Sequence, residues 1–185
     1  MGSIKDVDNQ FSESLNNLFG QINSYGFDSP VTFIANKEVD KESITTTIPA
    51  NKGVYLIEIK IVDTDATFDE WLAGFEKILN HERYSKSNVP SLKKLRCKSH
   101  RTVKLGEWFP LYIGKSKNIQ KRVLEHLHLR LEQRTTGLKL TNREEFHGNS
   151  FRISTIVLDV INYDIIATEF ERQLRNRINP ILGRQ

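Results

Sequence analysis

Leu111-Tyr112-Ile113-Gly114-Lys115-Ser116-Lys117-Asn118-Ile119-Gln120-Lys121-Arg122-Val123-Leu124-Glu125-His126 is the run around which this 185-residue chain organises itself. Its apolar start, with Trp108 and Phe109 before it, reads as a strand over 108–114 that Pro110 interrupts near its beginning. Gly114 turns the chain, and lysines surround the turn. Ile119, Val123, Leu127 and Leu131 then recur at helical spacing, predicting a helix over 118–133 capped by Ser116 or Asn118. The N–H groups at the start of such a helix suit an anion. Arg122 and His126 are four residues apart and share one face. Arg122 also follows Lys115 by seven, so the spacing predicts that Lys115, Arg122 and His126 converge on one phosphate. The plainer alternative is a solvent-facing basic helix behind a capping turn.

Outward from this run, Val54 to Val62 is β-branched and bounded by turn residues, which predicts a strand. Residues 151–160 predict a third strand, and 164–178 a final helix stopped by Asn179-Pro180. Upstream, Phe11, Leu15, Leu18, Phe19 and Ile22 predict an amphipathic helix over 8–24, followed by a short strand over 31–35 and a polar, Thr-rich loop over 36–52. Between the first two core strands, Trp71, Leu72, Phe75 and Leu79 mark a helix over 69–80. Residues 81–106 then lose periodicity and read as a basic, mobile insertion. The core order is strand, insertion, strand, helix, strand, helix, an α/β (α+β) arrangement.

Hydrophobic residues make up 38% of the chain and charged residues 27%, enough apolar material for a core. No apolar run approaches membrane-spanning length, and residues 1–10 lack the apolar stretch of a signal peptide. One cysteine, Cys97, excludes an internal disulfide or a Cys-rich zinc site, and it has no partner motif for nucleophilic catalysis. These features predict a soluble, cytoplasmic protein. The net charge of +4 is unevenly spread: residues 93–152 carry 15 Lys/Arg against 5 Asp/Glu. A basic middle attracts a polyanion without sequence-specific contact, unless the acidic N-terminal half balances it in space. His81, His100 and His147 show no metal spacing, His126 and His128 diverge on a helix, and Trp71 and Trp108 read as core.

Gly53-Val54-Tyr55 followed by Tyr112-Ile113-Gly114 resembles the signature tripeptides of the GIY-YIG nuclease superfamily. The run 112–123 is similar to the nuclease domain of the excision-repair protein UvrC, and the Arg122/His126 pair to the superfamily's restriction endonucleases. The likeness covers roughly 53–62 and 108–183. It implies a central antiparallel sheet of three strands flanked by helices, and divalent-metal-dependent hydrolysis of DNA phosphodiesters. By resemblance, Tyr55 activates water as base or hydrogen-bond partner, Tyr112 orients water or phosphate, and Arg122 clamps the phosphate oxygens with Lys115 beside it. A phenol titrates near 10, so Tyr55 needs cationic neighbours or His126 to take its proton.

The resemblance places the ligand of Mg²⁺ or Mn²⁺ on the last helix. Counting back from Pro180 selects Glu171, which shares a helix side with Leu174 and Ile178, whereas Glu169 points elsewhere. Either glutamate could instead pair with Arg172 or Arg175. Gly183 stands where the family has an asparagine, a role that Asn179 or Gln185 would have to assume. Tyr55 and Tyr112 are 57 positions apart, where the family has a short connection. Within that length Lys93, Lys94, Arg96, Lys98, Arg101 and Lys104 read as DNA-backbone contacts, joined by Lys117 and Lys121. The division is an N-terminal helical extension, 1–50, and a nuclease domain, 51–185, with an insertion at 63–107. The reading is a type II restriction endonuclease on double-stranded DNA, working as a homodimer. A repair or homing nuclease, or an inactive DNA-binding module of the same fold, are the alternatives.

Overall fold

The structure is a computed structural model that describes residues 3–22, 24–61, 66–81, 90–102, 106–134 and 136–183. Its centre is strand β2 (Gly53–Lys60), whose residues are buried on both faces as far as Ile59. Such burial requires layers on both sides, and the alternating side chains divide between them. Tyr55, Ile57 and Ile59 belong to one apolar cluster, Val54 and Leu56 to the other. β2 pairs antiparallel with β4 (Trp108–Ser116) on one side and β5 (Ser150–Val157) on the other.

The sheet has four strands. β1 (Val31–Ile34) pairs antiparallel with β5, giving the order β1-β5-β2-β4. The three-stranded expectation is corrected here: Val31 and Phe33 pack against the core, and the 31–34 backbone bonds along the free edge of β5. Pro110 does not break β4. The register shifts between Ile57 and Glu58, so that Tyr112 and Pro110 face consecutive β2 residues and Leu111 is the extra residue of a bulge. A proline is tolerated there because β4 is an edge strand.

One face of the sheet carries α5 (Ile119–His128) and α3 (Phe68–Leu79), the other α6 (Tyr163–Ile178) and the end of α1 (Ile4–Ile22). Thr67 and Glu70 form a capping box that starts α3. Phe68, Trp71, Phe75 and Phe109 stack on one another there, with Trp71 half-buried and packed against the core. α5 stops at His128, earlier than its apolar periodicity suggests; the Leu131 carbonyl goes instead to the buried Lys139 ammonium. The polar stretch expected to be a loop contains α2 (Lys41–Thr47), capped by Asp40, with Ile44 and Ile48 in the main core. Residues before position 50 thus contribute a strand and the buried core side chains Ile22, Ala35, Ile44 and Ile48.

The described part of the basic insertion is docked. β3 (Ser91–Leu92) pairs with β6 (Leu182–Gly183), and α4 (Lys94–Cys97) buries Cys97 in the main core. The Lys93 N–H donates to the Ile181 carbonyl at 2.8 Å, and His100 Nε2 donates to the Asn179 carbonyl at 2.7 Å. Among the described residues no helix is long and apolar enough to cross a membrane.

Candidate functional site

β2 and β4 bring Tyr55 and Tyr112 to the same face of the sheet, with ring centroids 6.1 Å apart. α5 lies over that face and delivers His126, 4.9 Å from the Tyr112 ring and 5.5 Å from the Tyr55 ring. Close approach here depends on the two glycines of the tripeptides. A Cβ on Gly114 would stand 2.4 Å from the Tyr55 oxygen, and one on Gly53 would stand 2.1 Å from the Ile156 carbonyl oxygen. Both positions therefore exclude a side chain on steric grounds.

Tyr55 Oη and His126 Nε2 are hydrogen-bonded at 2.9 Å, in a setting that leaves Tyr55 1% and His126 0% exposed. The other ring nitrogen, Nδ1, accepts the Leu138 N–H at 3.2 Å. A neutral imidazole carries one proton, so here it sits on Nε2. Burial first, and then the charge of Arg122, hold His126 well below the usual histidine range, so the ring is neutral at pH 7. His126 therefore donates to the Tyr55 oxygen. This corrects the expectation that it takes the tyrosine proton: the nitrogen facing Tyr55 is already protonated.

The Arg122 guanidinium is near enough to Tyr55 for its charge to oppose the rise in the phenol pKa. The same guanidinium pairs with Glu125 at 2.5 Å and donates to the Thr136 carbonyl. Burial, followed by the neighbouring Tyr112 and opposed by Arg122, pushes the Tyr55 phenol well above the usual tyrosine range. Glu171 on α6 is near enough for its charge to add to that rise. Its side chain is 15% exposed, with Arg175 Nη1 3.9 Å from Oε1. Glu169 is engaged elsewhere, bound to Arg172 and, at 2.9 Å, to Gln173. Tyr55, Tyr112 and His126 thus meet on one face of the sheet with Arg122 on the same helix as His126, while Glu171 is carried by α6, which packs on the opposite face.

Lys115 does not join them. It occupies the opposite face of β4 and reaches Thr168 on α6. The start of α5 is also not an open anion site. Its first N–H groups are taken by the Asn51 carbonyl at 2.9 Å, the Pro49 carbonyl at 3.2 Å and the Asn118 side chain at 2.8 Å. Asn118, of the two cap candidates, is the one that caps the helix. Gly183 lies in β6, and Asn179 ends α6 in a left-handed conformation (φ 54°). Gln185 and Lys104 lie outside the described residues.

The expected DNA-backbone cations divide into two groups. Lys94 pairs with Glu76 at 3.3 Å, Arg101 with Asp69 at 3.1 Å, and Lys117 with Asp164 at 2.9 Å. Lys98 and Lys121 are exposed, Lys93 and Arg96 partly so. The acidic face of α3 thus neutralises part of the basic insertion.

The sequence reading passed over two side chains that support the site. Lys139, fully buried with φ 56°, donates from Nζ to the Leu131 and Gln133 carbonyls at 3.0 and 2.6 Å. Arg143 donates from Nε to the Leu138 carbonyl at 3.0 Å. Together they tie the segment that presents the Leu138 N–H to His126. A buried lysine or arginine in a loop has no local sequence signature. Neither a protein-family model nor a curated protein nor a solved structure matches the chain.

Proposed function

We propose that this chain is a divalent-metal-dependent DNA endonuclease of GIY-YIG type, with a type II restriction enzyme as its cellular role. The observation that carries the reading is the buried, hydrogen-bonded Tyr55–His126 pair from β2 and α5, with the Tyr112 ring beside it. These side chains are far apart in sequence and differ in chemistry. Apolar packing alone would not select a buried, hydrogen-bonded set of this kind.

The residues suit the steps of phosphodiester hydrolysis. The Tyr55 oxygen faces a donor from His126 and the charge of Arg122, both of which favour a phenolate. The phenol proton leaves to water admitted with the substrate; the oxygen then takes a proton from the attacking water as that water's oxygen bonds to phosphorus and the bond to the leaving oxygen breaks. Arg122, freed from the Thr136 carbonyl, offers a planar fork to the non-bridging oxygens, where negative charge grows. Tyr112 borders the same space and orients the water or phosphate.

Glu171 fits a hard divalent cation: it is a single, mostly buried carboxylate with its cation at 3.9 Å, a donor set suited to Mg²⁺ or Mn²⁺, which retain water ligands. Such an ion would offset charge developing on the phosphate. Among the described residues no three His, Cys, Asp or Glu side chains group as ligands.

The test is cleavage of mixed plasmid and genomic DNA with Mg²⁺, Mn²⁺ or EDTA, comparing the parent with Glu171→Ala and Tyr55→Phe. Discrete metal-dependent fragments, lost in both variants, are expected. A metal-dependent smear would keep the chemistry and remove the restriction role. DNA binding without cleavage in either metal would favour the binding-module reading, to which the near-complete burial of Tyr55 already lends weight.

A further inference from the structure

A cavity that the hydrolytic scheme does not use lies where α2 packs on α5. It measures about 360 Å³, and Lys41 lines it from α2 while Lys121, Leu124, Glu125 and His128 line it from α5. Those four α5 positions are i, i+3, i+4 and i+7, so a single stripe of the helix forms the wall. Gln120 fastens the two elements, its amide donating to the Thr45 carbonyl at 2.7 Å and the Ile48 carbonyl at 3.1 Å. His126 and His128 are separated by about 200° of helical turn, so this cavity and the Tyr55 pair belong to different sides of α5.

His128 is the residue whose bonding is incomplete. Its Nδ1 lies 3.5 Å from the Thr141 hydroxyl, whose own proton goes to the Leu127 carbonyl at 2.8 Å. Thr141 can therefore only accept, and the ring proton belongs on Nδ1. Burial, then the charge of Lys41, lowers the His128 pKa, so the ring is neutral at pH 7. Nε2 is left as a lone pair closed off from water, with no hydrogen-bond partner among the described residues. A buried acceptor without a donor is costly. The long contact to Thr141 is weak, so the ring can turn towards the cavity at little cost once a donor enters it.

Leu124 and Leu129 give the cavity apolar surface, and its volume suits a small organic ligand. Lys41 and Lys121 are exposed and have no ion-pair partner among the described residues. Glu125, the one acid in the lining, is already paired with Arg122 at 2.5 Å. The mouth is therefore positive. Lys121 and His128 stand about 10 Å apart along the helix axis. A ligand that answers these features has an anion at one end, a flat apolar body, and an N–H donor on its far edge. A nucleotide's phosphate, its base and the exocyclic amine of adenine or cytosine supply them in that order.

We propose that the α2–α5 cavity binds a nucleoside monophosphate whose base carries an exocyclic amine. Lys41 and Lys121 meet the phosphate, Leu124 and Leu129 pack on the base, and His128 Nε2 accepts from the amine. The ligand is a free nucleotide or an unstacked nucleotide of a DNA strand, which share this chemistry. The site does not rest on the nuclease reading, since none of these five side chains takes part in the hydrolytic steps.

Calorimetry on the full chain compares AMP with purine riboside monophosphate, which lacks the amine, and with adenosine, which lacks the phosphate. AMP should bind about tenfold or more tightly than either, through the hydrogen bond to a desolvated acceptor in one case and the charge pairing in the other. Lys41→Met and Lys121→Met, both at exposed positions, should each weaken AMP about threefold and leave adenosine unchanged. His128→Phe keeps a ring and removes the acceptor. It should melt no lower than the parent, because the Thr141 proton stays on the Leu127 carbonyl, and it should bind AMP and purine riboside monophosphate equally. Displacement of AMP by single-stranded oligodeoxyadenylate would identify the ligand as a nucleotide of DNA, and AMP binding that this strand leaves undisturbed would identify a free one.

Equal affinity of the parent for AMP and purine riboside monophosphate would overturn the proposal. So would AMP binding that survives both lysine substitutions, or no heat up to about 1 mM AMP. None of these results bears on cleavage, and a parent that binds AMP but never cuts DNA would sink the nuclease reading and leave the nucleotide site standing.

Discussion

Tyr55 Oη and His126 Nε2 meet at 2.9 Å across 71 positions of chain, and the Leu138 N–H on the far side of the ring fixes which of them donates. The imidazole is thereby a neutral donor aimed at a phenol oxygen that also feels the charge of Arg122. An oxygen so surrounded is prepared to carry negative charge, even though burial keeps it protonated at rest.

Replacing Tyr55 by Phe removes the acceptor and leaves the His126 N–H buried and unpaired. The expected cost is about 1–3 kcal/mol of stability, read as a lower urea midpoint. Cleavage should fall about 10²- to 10⁴-fold, the range of a lost general base. His126→Ala should destabilise more, since it strands both the Tyr55 hydroxyl and the Leu138 N–H and also leaves a cavity.

The two pKa directions predict opposite pH limits. An unfolded histidine binds a proton near pH 6.5, whereas native His126 resists it. Its contribution to stability is complete above pH 6.5 and is lost as pH falls from there towards the native value, by up to about 1.4 kcal/mol per pH unit. Urea titrations between pH 7.5 and 5 should show this loss in the parent and a smaller one in His126→Gln. Cleavage should instead rise with pH through neutrality, because the phenol of Tyr55 is held above its ordinary range. A rate that falls across that interval would remove Tyr55 as base.

The tripeptide glycines should be the least replaceable positions of the strands. Gly53→Ala drives a methyl into backbone, the Ile156 carbonyl, and Gly114→Ala drives one into the Tyr55 hydroxyl. Each should destabilise by about 1–3 kcal/mol, with Gly53 the worse because backbone cannot swing away. Gly74, inside α3, meets nothing within 4 Å, so Gly74→Ala should stabilise by about 0.5–1 kcal/mol. Thermal melts of the three variants separate steric exclusion from a general aversion to alanine.

Much of this architecture was legible because it follows from short-range rules. The β2 and β5 runs are β-branched, β4 is apolar and aromatic, and the local patterns place α3 and α6 within a residue of their true ends, whereas α5 ends five residues before its apolar stripe does. What stayed hidden depends on partners distant in sequence. That the short strand expected over 31–35 joins the core sheet as a fourth strand depends on the edge that β5 offers it. Lys41–Thr47 is a helix because Asp40 caps it and the core takes Ile44. For the site, spacing brought Arg122 and His126 to one helix face, but could not show that the alternation of β4 turns Lys115 away towards Thr168. Nor could it show that Asn51 and Pro49 close the start of α5, or that Leu138 sets the tautomer of His126.

The same long-range pairing decides which basic residues of the middle segment remain available to a polyanion. Lys94 and Arg101 face Glu76 and Asp69 across the α3–α4 contact, and Lys117 faces Asp164. A cation already near a carboxylate gains less from a phosphate, since the approach also brings that phosphate towards the carboxylate. Lys98 and Lys121 are exposed and have no ion-pair partner among the described residues. Lys98→Ala and Lys121→Ala should therefore each weaken duplex binding and lower the salt slope by about one unit. Lys94→Ala and Arg101→Ala should change that slope by less. Anisotropy titrations over a salt series in Ca²⁺ measure all four against one parent curve. Equal losses in the four variants would mean that DNA displaces Glu76 and Asp69 from their lysine and arginine. In that case Glu76→Gln should tighten binding, by releasing Lys94 to the backbone. If Lys98 and Lys121 are silent while the paired residues matter, the duplex lies along the α3–α4 edge and away from α5, and the position of Arg122 beside its phosphate would have to be abandoned.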